Sequence, residues 1–121
     1  MVAEAYRTVD GETMDAPALW RRGYLRVMGL LAQAKRAAER GDAASKANLL
    51  SRAFAIVQFW QAALVGAGEP DGEMGRYIGA SYDYLLNRIA TANALDDYNA
   101  IHGAIDDATA RLTQLAKAFR V

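Results

Sequence analysis

The chain has no cysteine, so disulfide bridges and thiolate metal sites are excluded. It has a single histidine, His102, with Asn99 three residues before it. The Glu-x-x-His repeats of a carboxylate-bridged metal bundle are therefore missing. Proline occurs only at positions 17 and 70. No apolar run approaches the roughly 18 residues that a membrane span requires. The start, MVAEAYRTVDGE, has neither an apolar stretch nor a basic lead, so a signal peptide is not expected. Net charge is near zero, with 14 basic and 14 acidic residues. This balance weighs against a nucleic-acid partner, which favours a basic face. Glycine-rich phosphate loops and nucleophile elbows are also absent. Neither a cofactor nor a conventional enzyme is expected.

What remains is 121 residues, 53% of them hydrophobic, enough for one domain with a core of its own. Ala, Leu and Arg dominate and β-branched runs are lacking, which predicts an all-α fold. The reading is an antiparallel four-helix bundle over residues 16–121 behind a mobile N-terminal arm, residues 1–15. The arm's Tyr6, Val9 and Met14 are too sparse for a stripe and leave room for only a short helical turn. The first helix starts after Asp15 and runs to about Arg40, with Gly41 closing it. Its stripe is Trp20, Tyr24, Val27, Met28, Leu31, Ala34 and Ala38. Asp42 caps the second helix, striped by Leu49, Leu50, Ala53, Ile56, Val57, Trp60 and Leu64. So short a connection makes these two helices antiparallel neighbours. The long loop is 66–72. The third helix runs from about Glu73 to an Ala92-Asn93 stop, with Ile78, Tyr82, Leu85, Leu86 and Ile89 inward. The fourth starts near Asp96 and reaches Phe119, with Tyr98, Ile101, Ile105, Ala108, Leu112, Leu115 and Phe119 inward.

Chemistry at His102 is poorly supported. A phosphotransfer bundle needs a positive, open turn after its histidine, and here Asp106 and Asp107 would repel a phosphoryl group. Neighbouring carboxylates such as Asp96 and Asp97 point about 100° apart and do not share one site. They are better read as charge at a helix N-terminus. More informative are apolar residues that the core stripes do not need. Phe54 lies about 100° from the centre of its stripe and Phe59 about 120° to the other side. Tyr77 and Tyr84 point about 140° and 160° from Tyr82, on one face of the third helix with Arg88. The fourth helix has almost no such surplus. Aromatic surface on neighbouring helices suits a partner interface, and a homodimer carries the same signature.

The stretch 81–97, SYDYLLNRIATANALDD, resembles the signature of the flagellin-export chaperones, the FliS family. That family's third helix carries an LYDYxxxRLxxAN run followed closely by an Asp. AKRAAERGD at 34–42 is similar to the family's first-helix end, and LLSRAFAIVQFWQAAL at 49–64 to its second helix. This chain departs in having Ser81 for the leading leucine and WRRGYLRVM where LYDGA is common, and it lacks the C-terminal Trp. The resemblance implies a small helical bundle in the bacterial cytoplasm that is not an enzyme. It implies binding to the disordered C-terminal segment of flagellin, prevention of premature polymerisation, and delivery to a flagellar export gate component. It also implies that an N-terminal tyrosine, here Tyr6, covers the binding cleft. The partner-binding residues expected are Tyr6, Phe54, Phe59, Tyr77, Tyr84 and Arg88. The competing expectations are a signalling bundle acting through His102 and a homo-oligomer burying the surplus aromatics against itself.

Overall fold

The computed structural model describes residues 6–9, 12–66 and 72–119. Two short strands, β1 (Tyr6–Val9) and β2 (Glu12–Asp15), precede four helices. These are α1 (Ala16–Glu39), α2 (Ala43–Gly66), α3 (Gly72–Ala94) and α4 (Tyr98–Phe119). Each helix packs on its neighbour in sequence and α4 closes back on α1. The result is an antiparallel four-helix bundle.

The turn between α1 and α2 is fixed by local chemistry. Gly41 has φ 71°, a conformation that glycine adopts without steric cost. Gly41 N–H donates to the Ala38 carbonyl at 3.1 Å and Asp42 N–H to the Ala37 carbonyl at 2.9 Å, the paired bonds of a Schellman ending. Asp42 then caps α2, its Oδ1 accepting from Ser45 N–H at 3.1 Å. The Ser45 hydrogen bonds hold the Asp42 carboxyl below its ordinary pKa.

The core changes character along the bundle. At the turn end, buried Ala34, Ala37, Ala92 and Ala104 let the helices approach closely. Leu31, Leu50, Val57, Leu85, Ile89, Ile105 and Leu112 fill the middle. At the other end Trp20 stacks on Phe119 at 4.3 Å and on Tyr24 at 5.2 Å. Trp60 lies 5.3 Å from Trp20 and 5.8 Å from Tyr82. Gly23 admits the Trp60 ring, since a Cβ there would sit 3.0 Å from it. Burial pushes the Tyr82 phenol up to about 12. The Trp20 indole N–H opposes that shift slightly, yet it falls short of hydrogen-bond geometry and has no partner among the described residues.

One charge sits inside. Lys46, only 6% exposed, reaches from the first turns of α2 to the last turn of α3. Its Nζ donates to the carbonyls of Leu95 at 2.8 Å, Ala92 at 3.2 Å and Asn93 at 3.4 Å. The Ala92 and Asn93 carbonyls belong to the last turn of α3, where intrahelical donors run out, Leu95 follows it directly, and a cation is favoured at this end of the dipole.

Four expectations need correction. In place of a helical turn, β1 and β2 pair antiparallel in register Tyr6↔Asp15 to Val9↔Glu12. The intervening Asp10-Gly11 is a hairpin signal in its own right. The third helix runs past Ala92-Asn93 to Ala94, because Lys46 supplies the donors for its ending. The fourth begins at Tyr98, not Asp96, because Asp97 is the cap, its Oδ2 accepting from Ala100 N–H at 2.9 Å. Tyr98, read as inward, is 38% exposed and meets the His102 ring edge-on at 5.5 Å.

Lys46→Met keeps the aliphatic stem and deletes three hydrogen bonds, so it should cost about 1–3 kcal/mol. Urea unfolding is expected to show a lower midpoint with an unchanged slope. The Tyr82 phenol binds its proton more tightly folded than unfolded. Stability is therefore undiminished by this group below pH 10 and falls as pH rises from 10 to 12. Absorbance titration at alkaline pH should show a late tyrosine ionisation near pH 12 that the Tyr82→Phe variant lacks.

Candidate functional site

The surplus apolar residues fall on distinct flanks of the bundle. Gln61 donates to Asp83, so the Gln61 side of α2 faces α3. Phe54 is on this side, partly buried. It lines a groove of about 370 Å³ between α2 and α3, with Leu50, Ser51, Ile89, Ala90 and Asn93. The groove is mostly apolar. Asn93 Oδ1 is buried without a hydrogen-bond partner among the described residues, a lone acceptor among those apolar side chains. Phe59 lies on the opposite flank of α2, toward α1, and is 50% exposed. The structure thus separates Phe54 from Phe59.

Tyr77, Tyr84 and Arg88 are brought together, on the α4 side of α3. The Arg111 guanidinium from α4 lies over the Tyr84 ring, 4.4 Å from its centre. Arg111 also donates to the buried Ser81 hydroxyl at 3.4 Å. Arg88 pairs with Asp107 at 3.5 Å and donates to Asn87 Oδ1 and Thr91 Oγ1. Tyr84 and Arg88 are therefore partly engaged in holding α3 to α4. Tyr77 is more open at 38% exposure, with Met74 one turn before it at 56%. Tyr6 is in β1, within a hairpin whose backbone neighbours α1. Its side chain lies outside the described residues.

Sequence reasoning missed Met74, Asn93 and Arg111. Met74 has a signal, since it precedes Tyr77 by three positions on the same helical face. Arg111 has none, because its role depends on how α4 is rotated against α3.

His102 offers no phosphoryl site. Its Nδ1 lies 3.0 Å from Asp106 Oδ2, and the other Asp106 oxygen accepts from Lys35 at 2.9 Å. Lys35 foremost, with His102, holds the Asp106 carboxyl below its ordinary range, so the ring faces a carboxylate. No cluster of three or more metal-ligating side chains occurs among the described residues. No described helix is long and apolar enough to cross a membrane.

The family model described as "Flagellar protein FliS" matches residues 2–120, and the chain belongs to this family. The family consists of non-enzymatic chaperones, and membership implies a role in flagellin export. No curated protein and no solved structure matches the chain.

The two tyrosines of the α3–α4 flank should separate in a stability assay. Tyr77→Ala is expected to change unfolding free energy by no more than about 0.5 kcal/mol, as at other exposed positions. Tyr84→Ala removes the ring beneath Arg111 and should cost roughly 0.5–1 kcal/mol or more. Equal, large losses in urea would place Tyr77 in the core.

Proposed function

We propose that this FliS family member binds the disordered C-terminal segment of flagellin in the cytoplasm, keeps it from polymerising early and delivers it to a component of the export gate. Family membership over nearly the whole chain carries the reading. The surface around α3 supports it. One side of α3 offers the apolar groove at Phe54, and the other offers Met74, Tyr77 and Tyr84 beside Arg88. A disordered client that folds into amphipathic helices can lay apolar anchors along both sides. The Phe54 groove accepts such an anchor, and Asn93 Oδ1 gives an incoming N–H a buried acceptor. Tyr77 supplies a large apolar body with a polar tip at the rim. Phe59, half exposed on the α1 flank of α2, stands apart from these anchors. Arg88 fixes the edge of the α3–α4 side through Asp107.

A client that orders on contact spends part of its binding energy on that ordering. Affinity stays modest for the area covered, which suits a protein that must release its cargo. The hairpin of Tyr6 lies against α1, away from the groove at α3, so removal of residues 1–15 should preserve folding and leave the groove open to the client.

Calorimetric titration with the C-terminal segment of the organism's own flagellin tests this. Binding should come with a gain of helix in circular dichroism. Phe54→Ala and Tyr77→Ala should each weaken it about tenfold or more, the cost of truncating an anchor. Absence of binding by the intact protein would remove the proposed function.

A further inference from the structure

The neutral total hides a strong charge asymmetry. Residues 16–66 carry eight Lys and Arg against two Asp and Glu, whereas residues 67–121 carry five against eight. The ion pairs follow the same division. Arg88 is matched by Asp107, and Lys35 by Asp106. Arg26, Arg36 and Arg52 form no ion pair among the described residues. All three are exposed. Arg40 is exposed as well and meets only Asp42, at 4.0 Å.

These arginines share the α1–α2 flank. Arg36 and Arg40 line an open groove of about 680 Å³ with Ser45, Asn48 and Leu49 of α2. Gln33 lines it too, and Arg26 and Gln33 of α1 recur at seven-residue spacing with Arg40, the residue that follows the helix. Ser45, Arg52 and Phe59 recur at the same spacing on α2. Because the helices are antiparallel, the two lines run side by side. The cationic row spans about 21 Å from Arg26 to Arg40, at 1.5 Å per residue. Leu49 and Ile56 are partly buried along its floor, and Phe59 is half exposed at one end.

We propose that this flank is a second docking surface, separate from the groove at α3, and that its occupant is an acidic amphipathic helix of a partner protein. Such a helix places carboxylates once per turn, about 5.4 Å apart, which suits four guanidinium groups over this length. Duplex DNA presents a charge every 1.7 Å or so, far denser than this row. Arginine, rather than lysine, favours paired hydrogen bonds to a planar carboxylate. The apolar floor receives the other face of the helix.

The probe is a labelled 20-residue peptide with glutamate at every fourth position and leucine on the adjoining face. A control of equal length carries lysine for glutamate. The acidic peptide should bind, and more weakly as salt rises. A triple R26E/R36E/R52E variant should lose at least tenfold in affinity, and the milder triple exchange to glutamine should lose less. The flagellin segment should bind both variants as it binds the parent, and circular dichroism should show them folded. The proposal is overturned if the acidic peptide does not bind, if the lysine control binds equally, or if the reversals leave affinity unchanged. It is also overturned if flagellin binding falls in parallel, because the flank is then part of the client site. Tighter, arginine-dependent binding of single-stranded RNA or of phosphatidylserine vesicles at the same salt would assign the flank to another polyanion. Arginine-dependent self-association in light scattering would assign it to a second copy of the chain.

Discussion

The Lys46 ammonium ties two places that are far apart in sequence, the beginning of α2 and the end of α3. Its three carbonyl partners, at Ala92, Asn93 and Leu95, span the last turn of α3 and the first residue of the turn to α4. A buried cation normally costs several kcal/mol unless it is fully hydrogen-bonded. Here no carboxylate is needed, because a helix end supplies three acceptors and a partial negative charge together. The contact sets how far α3 slides along α2, and through that where α4 begins. The groove at Phe54 adjoins it on the same two helices, sharing Asn93. Its shape depends on this register being held.

This arrangement also gives a physical reason for the Ala-Asn pair in the third-helix signature. Ala92 is fully buried, so its small side chain lets the α2 lysine come close. Asn93 contributes a carbonyl to the lysine while its side-chain oxygen sits buried beside the groove. One residue thus serves both the stability of the turn and the surface offered to a partner. Ser81 has a similar double position, buried within α3 and touched by Arg111 from α4. A leucine there would fill the seam with apolar volume. The serine replaces that with a polar contact and leaves Arg111 arched over Tyr84.

Periodicity made most of the bundle legible. The stripes of three- and four-residue spacing are the core, and Asp42 with Gly41 marked the first turn because capping chemistry is local. Several of the misses depend on a distant partner. Nothing near Ala92 reveals that a lysine 46 positions earlier will extend its helix. Tyr98 fits the stripe by spacing, but as the first residue of α4 it lies too near the helix end to be covered. The candidate surface was legible in angle but not in grouping. Phe54 and Phe59 are correctly opposed on α2, and Tyr77 with Tyr84 correctly aligned on α3. Which flank faces which helix, and that Arg111 reaches Tyr84, follow only from packing. The hairpin was present in the sequence as Asp10-Gly11 between short extended runs. It was hidden by the lack of any alternating apolar pattern around it.

Both tryptophans of the chain belong to the same aromatic cluster, with ring centres 5.3 Å apart. Intrinsic fluorescence is therefore a local reporter of one end of the bundle and is blind to the turn end that Lys46 secures. Circular dichroism reads all four helices equally. Coincident unfolding transitions by the two signals would mean that the alanine-rich end and the aromatic end melt as one cooperative unit. A fluorescence change that runs ahead of the loss of helix would mean that the bundle opens from its aromatic end.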